Sequence, residues 1–220
     1  MKLMPALPES VFDVGYLIFM TGTGIRLLKR SGKDPLIRLW GIMCLVLGIG
    51  DAFHLIPRVL RYWSAGDLTA ALGLGKLITS VTMTVFYLIL EYARGLRYPE
   101  EKNRGVLCSV WILSAVRVVL CLFPQNGWTS PEPPLFWGIL RNAPFALLGV
   151  LTVILWYRSA REDKPLKRLW IAVALSFLFY FPVVLFAEKV PITGMLMLPK
   201  TCMYIWMALM FRKASAPVSE

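Results

Sequence analysis

The chain has 220 residues, of which 57% are hydrophobic and 17% charged, with a formal net charge of +11. So high an apolar share excludes an ordinary soluble domain. The charge does not imply nucleic acid, because the cations gather between apolar runs, where a membrane interface attracts them.

Seven apolar runs are long enough to be bilayer-spanning helices, roughly 11–28, 37–60, 70–92, 105–123, 135–157, 169–187 and 193–212. The pattern predicts an all-α polytopic membrane protein forming a single integral membrane domain over 1–220. No cleavable leader is expected. Lys2 precedes an acidic, Pro-containing stretch, and the first run has no persuasive small-residue cleavage site.

The first run carries Asp13 and, further on, Gly22-Thr23-Gly24. Inside a span this stretch is not expected to be a nucleotide loop, and Gly41, Gly48 and Gly50 of the second run are expected to let helices approach closely. Arg26, Lys29, Arg30, Lys33 and Arg38 lead into the second run. That run ends in Gly48-Ile49-Gly50-Asp51-Ala52-Phe53-His54-Leu55-Ile56-Pro57-Arg58, which contains the chain's single histidine. Asp51, His54 and Arg58 fall at i, i+3 and i+7, one face of a helix. The third run offers Lys76, Thr79 and Ser80, and Arg94, Arg97, Lys102 and Arg104 follow it. The fourth carries Arg117 and the fifth Arg141 and Asn142. Between the fifth and sixth lie Arg158, Arg161, Lys164, Lys167 and Arg168. The sixth holds Tyr180 and ends before Glu188, the seventh holds Lys200 and Thr201, and Arg212 and Lys213 come last. Pro57, Pro144 and Pro182 interrupt three runs, each removing a backbone donor and freeing a carbonyl.

The connecting segments alternate. The stretch 124–134 has no Lys or Arg, and the Glu188-Lys189 loop has one cation. The positive-inside rule therefore predicts an outside N-terminus and a cytoplasmic C-terminus, with the plasma membrane as the expected location. Most of the eight Trp lie near span ends, where they are expected to anchor the interfaces. Cys44, Cys108, Cys121 and Cys202 fall in spans without a CxxC and are expected to remain unpaired packing thiols.

An internal echo links two loops. Arg30-Ser31, Pro35-Leu36 and Arg38-Leu39-Trp40 match Arg158-Ser159, Pro165-Leu166 and Arg168-Leu169-Trp170 in order. Phe-His-Leu-Ile-Pro in the second span faces Leu-Phe-Tyr-Phe-Pro in the sixth. Parallel repeats over 11–92 and 135–212, with 105–123 as linker helix, are the expectation this raises.

The predicted orientation brings Asp51, His54, Arg58, Lys76, Arg117, Arg141, Asn142, Tyr180 and Lys200 to one outer half, with inner halves more uniformly apolar. Excess cation there repels itself unless lysines are neutral or an anion is present. Two accounts stand: a pocket for a small anionic or zwitterionic ligand, or a cluster satisfied internally. A transporter or gated binder is the first functional expectation. An enzyme acting on an outer-leaflet lipid or a metabolite is the second, with His54 as acid–base residue and Asp51 orienting it. A ligand receptor or structural membrane protein is the third. The scattered thiols, one His and one nearby Asp make no convincing metal set. No cofactor is expected, and the only expected partners are membrane lipids and the solute.

The alternation of loop charge yields a direct test. In a background lacking the native cysteines, Ser130→Cys should react with an impermeant maleimide on intact cells. Glu162→Cys should react only after permeabilisation, and the reverse pattern would invert the topology.

Overall fold

The computed structural model describes residues 6–64, 66–187 and 190–216. Within them run seven helices: α1 (Ala6–Ser31), α2 (Pro35–Trp63), α3 (Thr69–Arg97), α4 (Arg104–Leu122), α5 (Leu135–Ser159), α6 (Leu169–Phe186) and α7 (Met197–Ala214). All seven are long and apolar enough to cross a membrane, α7 together with the 3-10 turn Pro191–Leu196 before it. The protein is a seven-helix integral membrane protein. Glu188 and Lys189 lie outside the described residues.

The helices outrun the apolar runs that predict them, because local signals set their ends. Asp34 caps α2, its carboxylate accepting from the amides of Leu36 at 2.8 Å and Ile37 at 3.3 Å, and Pro35 sits where the helix lacks a donor need. Asn103 caps α4 in the same way. Glu9 lies in the first turn of α1 and Arg30 in its last, each favourable to the helix dipole. Those polar turns lengthen α1 beyond its hydrocarbon stretch.

Large apolar side chains cover the outside of the bundle, as Ile18 and Phe136 do at 68% exposure each. Against lipid such exposure costs nothing. The interior is aromatic: Tyr87 meets Phe86, Phe145 and Phe177 at ring-centroid distances of 5.2–5.4 Å. Trp40 and Trp156 depart from the anchoring expectation. Both are fully buried, Trp40 stacked 5.7 Å from Phe211, whereas Trp63 and Trp111 remain exposed.

α2 packs most extensively, against α1 on one side and α3 on the other. Pro57 leaves the Phe53 carbonyl without its helical donor. α3 comes closest there: a Cβ on Gly75 would overlap that carbonyl and the His54 Cα. Glycine at 75 is thus what permits the α2–α3 approach. Two residues earlier, Gly73 receives the backbone of Trp128 from the α4–α5 connection. Pro144 and Pro182 also lie within continuous helices.

The cation-rich end of the bundle is bound together by ion pairs. Arg94, 2% exposed, holds Glu91 through Nε and Nη2 at 2.6–2.9 Å and reaches Ser159 of α5 through Nη1 at 2.8 Å. Ser159 in turn donates to Glu101. This pair is buried because at i, i+3 the two side chains neutralise one another. Beyond the helix end, Asp163 accepts from Arg97 Nε at 3.0 Å and Tyr98 Oη at 2.7 Å, joining α3 to the α5–α6 connection. Burial and the Asp163 carboxylate both push the Tyr98 hydroxyl above the ordinary tyrosine range.

The sign of that shift fixes a pH dependence. The folded state retains the Tyr98 proton that the unfolded chain releases near pH 10. The stabilisation is complete below that value and decays as pH rises above it. Tyr98→Phe should therefore flatten the alkaline limb of a pH–melting curve in detergent, and an unaltered limb would remove Tyr98 from the account.

Candidate functional site

The predicted residues do not form one ring of equivalent groups. They divide by partner, and the division follows which helix each faces.

Arg58 is paired at the end of the bundle. Its Nη2 meets the Glu9 carboxylate, which also accepts from Tyr62 Oη at 2.8 Å. Glu9 lies outside the predicted first span, so sequence reasoning passed over it. Its position in the first helical turn, near the same membrane boundary as Arg58, is the signal that could have found it. Arg141 also meets neighbouring groups: its Nη1 donates to Asn126 Oδ1 at 2.9 Å, and its guanidinium lies 4.3 Å over the Trp128 ring. Asn126 and Trp128 are fixed by the carbonyls at the end of α4, Asn126 donating to Leu120 at 2.7 Å and Trp128 to Cys121 at 2.8 Å. Lys76 is exposed on α3.

A second set meets inside the bundle. Tyr16 of α1, 2% exposed, donates to Asp51 Oδ2 at 2.7 Å. Asp51 and Lys200 of α7 act on one another electrostatically without forming a close ion pair. Lys200 is 6% exposed, its Nζ 4.4 Å from the Tyr180 ring centroid and 5.7 Å from that of Tyr204. Tyr180 donates to Asn142 Oδ1 at 2.8 Å, and Asn142 Nδ2 is held by the Gly138 carbonyl at 2.8 Å. Arg117 of α4, 2% exposed, lays its guanidinium 3.3 Å over the Phe145 ring. Its Nε and Nη1 have no hydrogen-bond partner, and no carboxylate pairs with it among the described residues. Asp51, Arg117, Asn142, Tyr180 and Lys200 thus belong to one connected interior region, completed by Tyr16 and Tyr204. Those tyrosines were missed because a Tyr inside an apolar run reads as packing. The signal was that a buried hydroxyl needs a partner.

His54 stands apart. Its Nδ1 is unpartnered, and it faces the Leu72 backbone and the charges of Lys76 and Arg58. Asp51 hydrogen bonds to Tyr16, and none of the bonds between described side chains joins it to His54. The i, i+3 spacing that makes the two look paired does not make them partners, because a helix turns 300° over three residues and α1 claims Asp51 first.

Chemically, the interior region presents two cations against one carboxylate, all lined by aromatic rings. Charge-assisted donors in a dry setting suit an anionic oxygen. The four thiols are free, Cys44 and Cys121 buried and Cys108 and Cys202 exposed. Among the described residues no three His, Cys, Asp or Glu side chains gather as metal ligands. No protein-family model matches this chain, and no curated protein or solved structure matches it.

The Tyr16–Asp51 contact joins α1 to α2 beside Lys200. Tyr16→Phe should lower stability by about 0.6–1.7 kcal/mol, the mean-to-maximum range for side-chain hydrogen bonds within a helical membrane bundle. Thermal unfolding in detergent measures this, and an unchanged midpoint would mean Asp51 is held by another donor.

Proposed function

We propose that the protein captures a small anionic or zwitterionic solute from the outer side and moves it through the bundle. The observation that carries this reading is Arg117. It is a buried guanidinium over Phe145 whose Nε and Nη1 lack partners and which no carboxylate among the described residues neutralises. A buried charge left unpaired is costly, and a ligand carboxylate or phosphate supplies both the missing charge and the missing acceptors. Lys200 provides the second cation. Tyr180 and Asn142, hydrogen-bonded to one another, line the ligand beside Lys200. Asp51, already held by Tyr16, balances Lys200 in the absence of ligand and receives the amine of a zwitterion in its presence.

Arg58, Arg141 and Lys76 take a secondary part on this reading. They mark the approach, where exposed or partly exposed cations raise the local anion concentration. His54 lies among Lys76 and Arg58 and tunes their charge or carries a coupling proton. Transport further requires that the ligand bind two states unequally. Pro57 and Pro182, on helices equivalent under the parallel-repeat reading, are the positions about which outer segments would shift.

Proteoliposomes challenged with small carboxylates, inorganic phosphate and amino acids test the reading by uptake, and calorimetry on the purified protein tests binding. Arg117→Gln and Lys200→Gln should each weaken the bound anion at least tenfold, about 1.4 kcal/mol. Arg58→Gln and Arg141→Gln should change affinity much less, because Glu9 and Asn126 already engage those side chains. Arg117→Lys, which keeps the charge, separates lost binding from lost folding. Binding that survives Arg117→Gln, or no binding or uptake across the panel, would overturn the proposal.

A further inference from the structure

α4 turns one buried strip toward the bundle: Val110, Ser114, Arg117 and Cys121, at i, i+4, i+7 and i+11. Ser114 stands three residues before Arg117, so the two side chains are neighbours on that strip. Ser114 is 2% exposed, and its Oγ has no hydrogen-bond partner.

Other buried hydroxyls are spent locally. Thr84, Thr152, Ser176 and Ser215 each donate to a carbonyl of their own helix at 2.7–2.8 Å. Ser114 makes no such bond and bears the full cost of a desolvated hydroxyl. Arg117 bears the same cost at Nε and Nη1. One turn of α4 thus holds three buried polar atoms without partners.

The placement of these atoms says what a solute must carry. Nε and Nη1 lie on different edges of the planar guanidinium, and a carboxylate fork engages one edge. An anion that ends in an apolar tail leaves one nitrogen and the Ser114 hydroxyl desolvated. An anion with a second oxygen beyond its charged group reaches them. A hydroxyl fits both, because it accepts from a guanidinium nitrogen and exchanges a hydrogen bond with Ser114 Oγ in either direction. Tyr87 packs against the same Phe145 ring as Arg117, at 5.3 Å, but its hydroxyl already lies 3.4 Å from Ser176 Oγ. Ser114 is the group left to read the solute.

On the reading that the interior region takes an anionic solute, we propose that this solute is a small hydroxylated carboxylate and that Ser114 binds its hydroxyl. Arg117 and Lys200 hold the charged end. Ser114 lies about 4.5 Å along the α4 axis from Arg117, on the side of the cation-rich end, and sets which tails are accepted.

Calorimetry on the purified protein with butyrate, 3-hydroxybutyrate and 4-hydroxybutyrate tests this, since the three acids share charge and chain length. Wild type should bind one of the hydroxy acids at least tenfold more tightly than butyrate. Ser114→Ala should reduce that preference below twofold without weakening butyrate, whereas Arg117→Gln should weaken all three. A purely structural effect of Ser114→Ala would weaken butyrate as well. A second readout needs no solute. Ser114→Ala removes a hydroxyl without a partner, so its melting midpoint in detergent should be no lower than that of wild type. Equal binding of the three acids by wild type, or a preference that survives Ser114→Ala, overturns the proposal and leaves the solute reading standing. So does a lowered midpoint, which would show the hydroxyl engaged within the bundle. Binding of none of the three overturns the proposal, and the solute reading falls with it only if the wider panel of anions also fails.

Discussion

In hydrocarbon a charge must find its counter-charge or hydrogen-bond partners within the protein, and that constraint orders this structure. The arginines of the bundle meet it differently. Arg94 satisfies it with Glu91 three residues before it on the same helix, Arg58 with Glu9 across to α1, and Arg141 with Asn126 of a neighbouring connection. Arg117 does not. Its guanidinium has an aromatic face beneath it and two nitrogens without acceptors. Ring contact offsets part of the cost of burying a cation. It leaves Nε and Nη1 without acceptors.

The same constraint explains why the interior is so aromatic. Rings supply weak, direction-tolerant attraction to a cation without introducing another charge. Lys200 lies between the rings of Tyr180 and Tyr204 with Asp51 acting on it, and Arg117 lies over Phe145 with no carboxylate paired to it among the described residues. A tight buried ion pair such as Glu91–Arg94 has the opposite character. It is closed on itself and serves to hold α3, Ser159 and Glu101 together at the cation-rich end.

The seven helices were legible in the sequence because apolar length is a property of each segment alone. Their ends were less so, because Asp34, Asn103 and Glu9 act through local hydrogen bonds and dipoles that hydropathy does not register. What could not be read was rotation about each helix axis. Asp51 and His54 share a turn, yet one points to Tyr16 and the other toward Leu72. Arg58 and Arg117 look alike in sequence, each a lone Arg in an apolar run, until α1 supplies Glu9 to one of them. Trp40 shows the same limit. It lies near a span end, as an anchor would, and turns inward to stack on Phe211.

Rotation also separates two ways of meeting the lipid phase on one helix. On α2, the face bearing Asp51 looks into the bundle and the face bearing Ile49, Phe53 and Ile56 looks out. Between them, Pro57 frees a carbonyl that only glycine at 75 can approach so closely. Residues at that closest approach are fixed by α3, while the lipid-facing residues one strip away are held by nothing in the bundle.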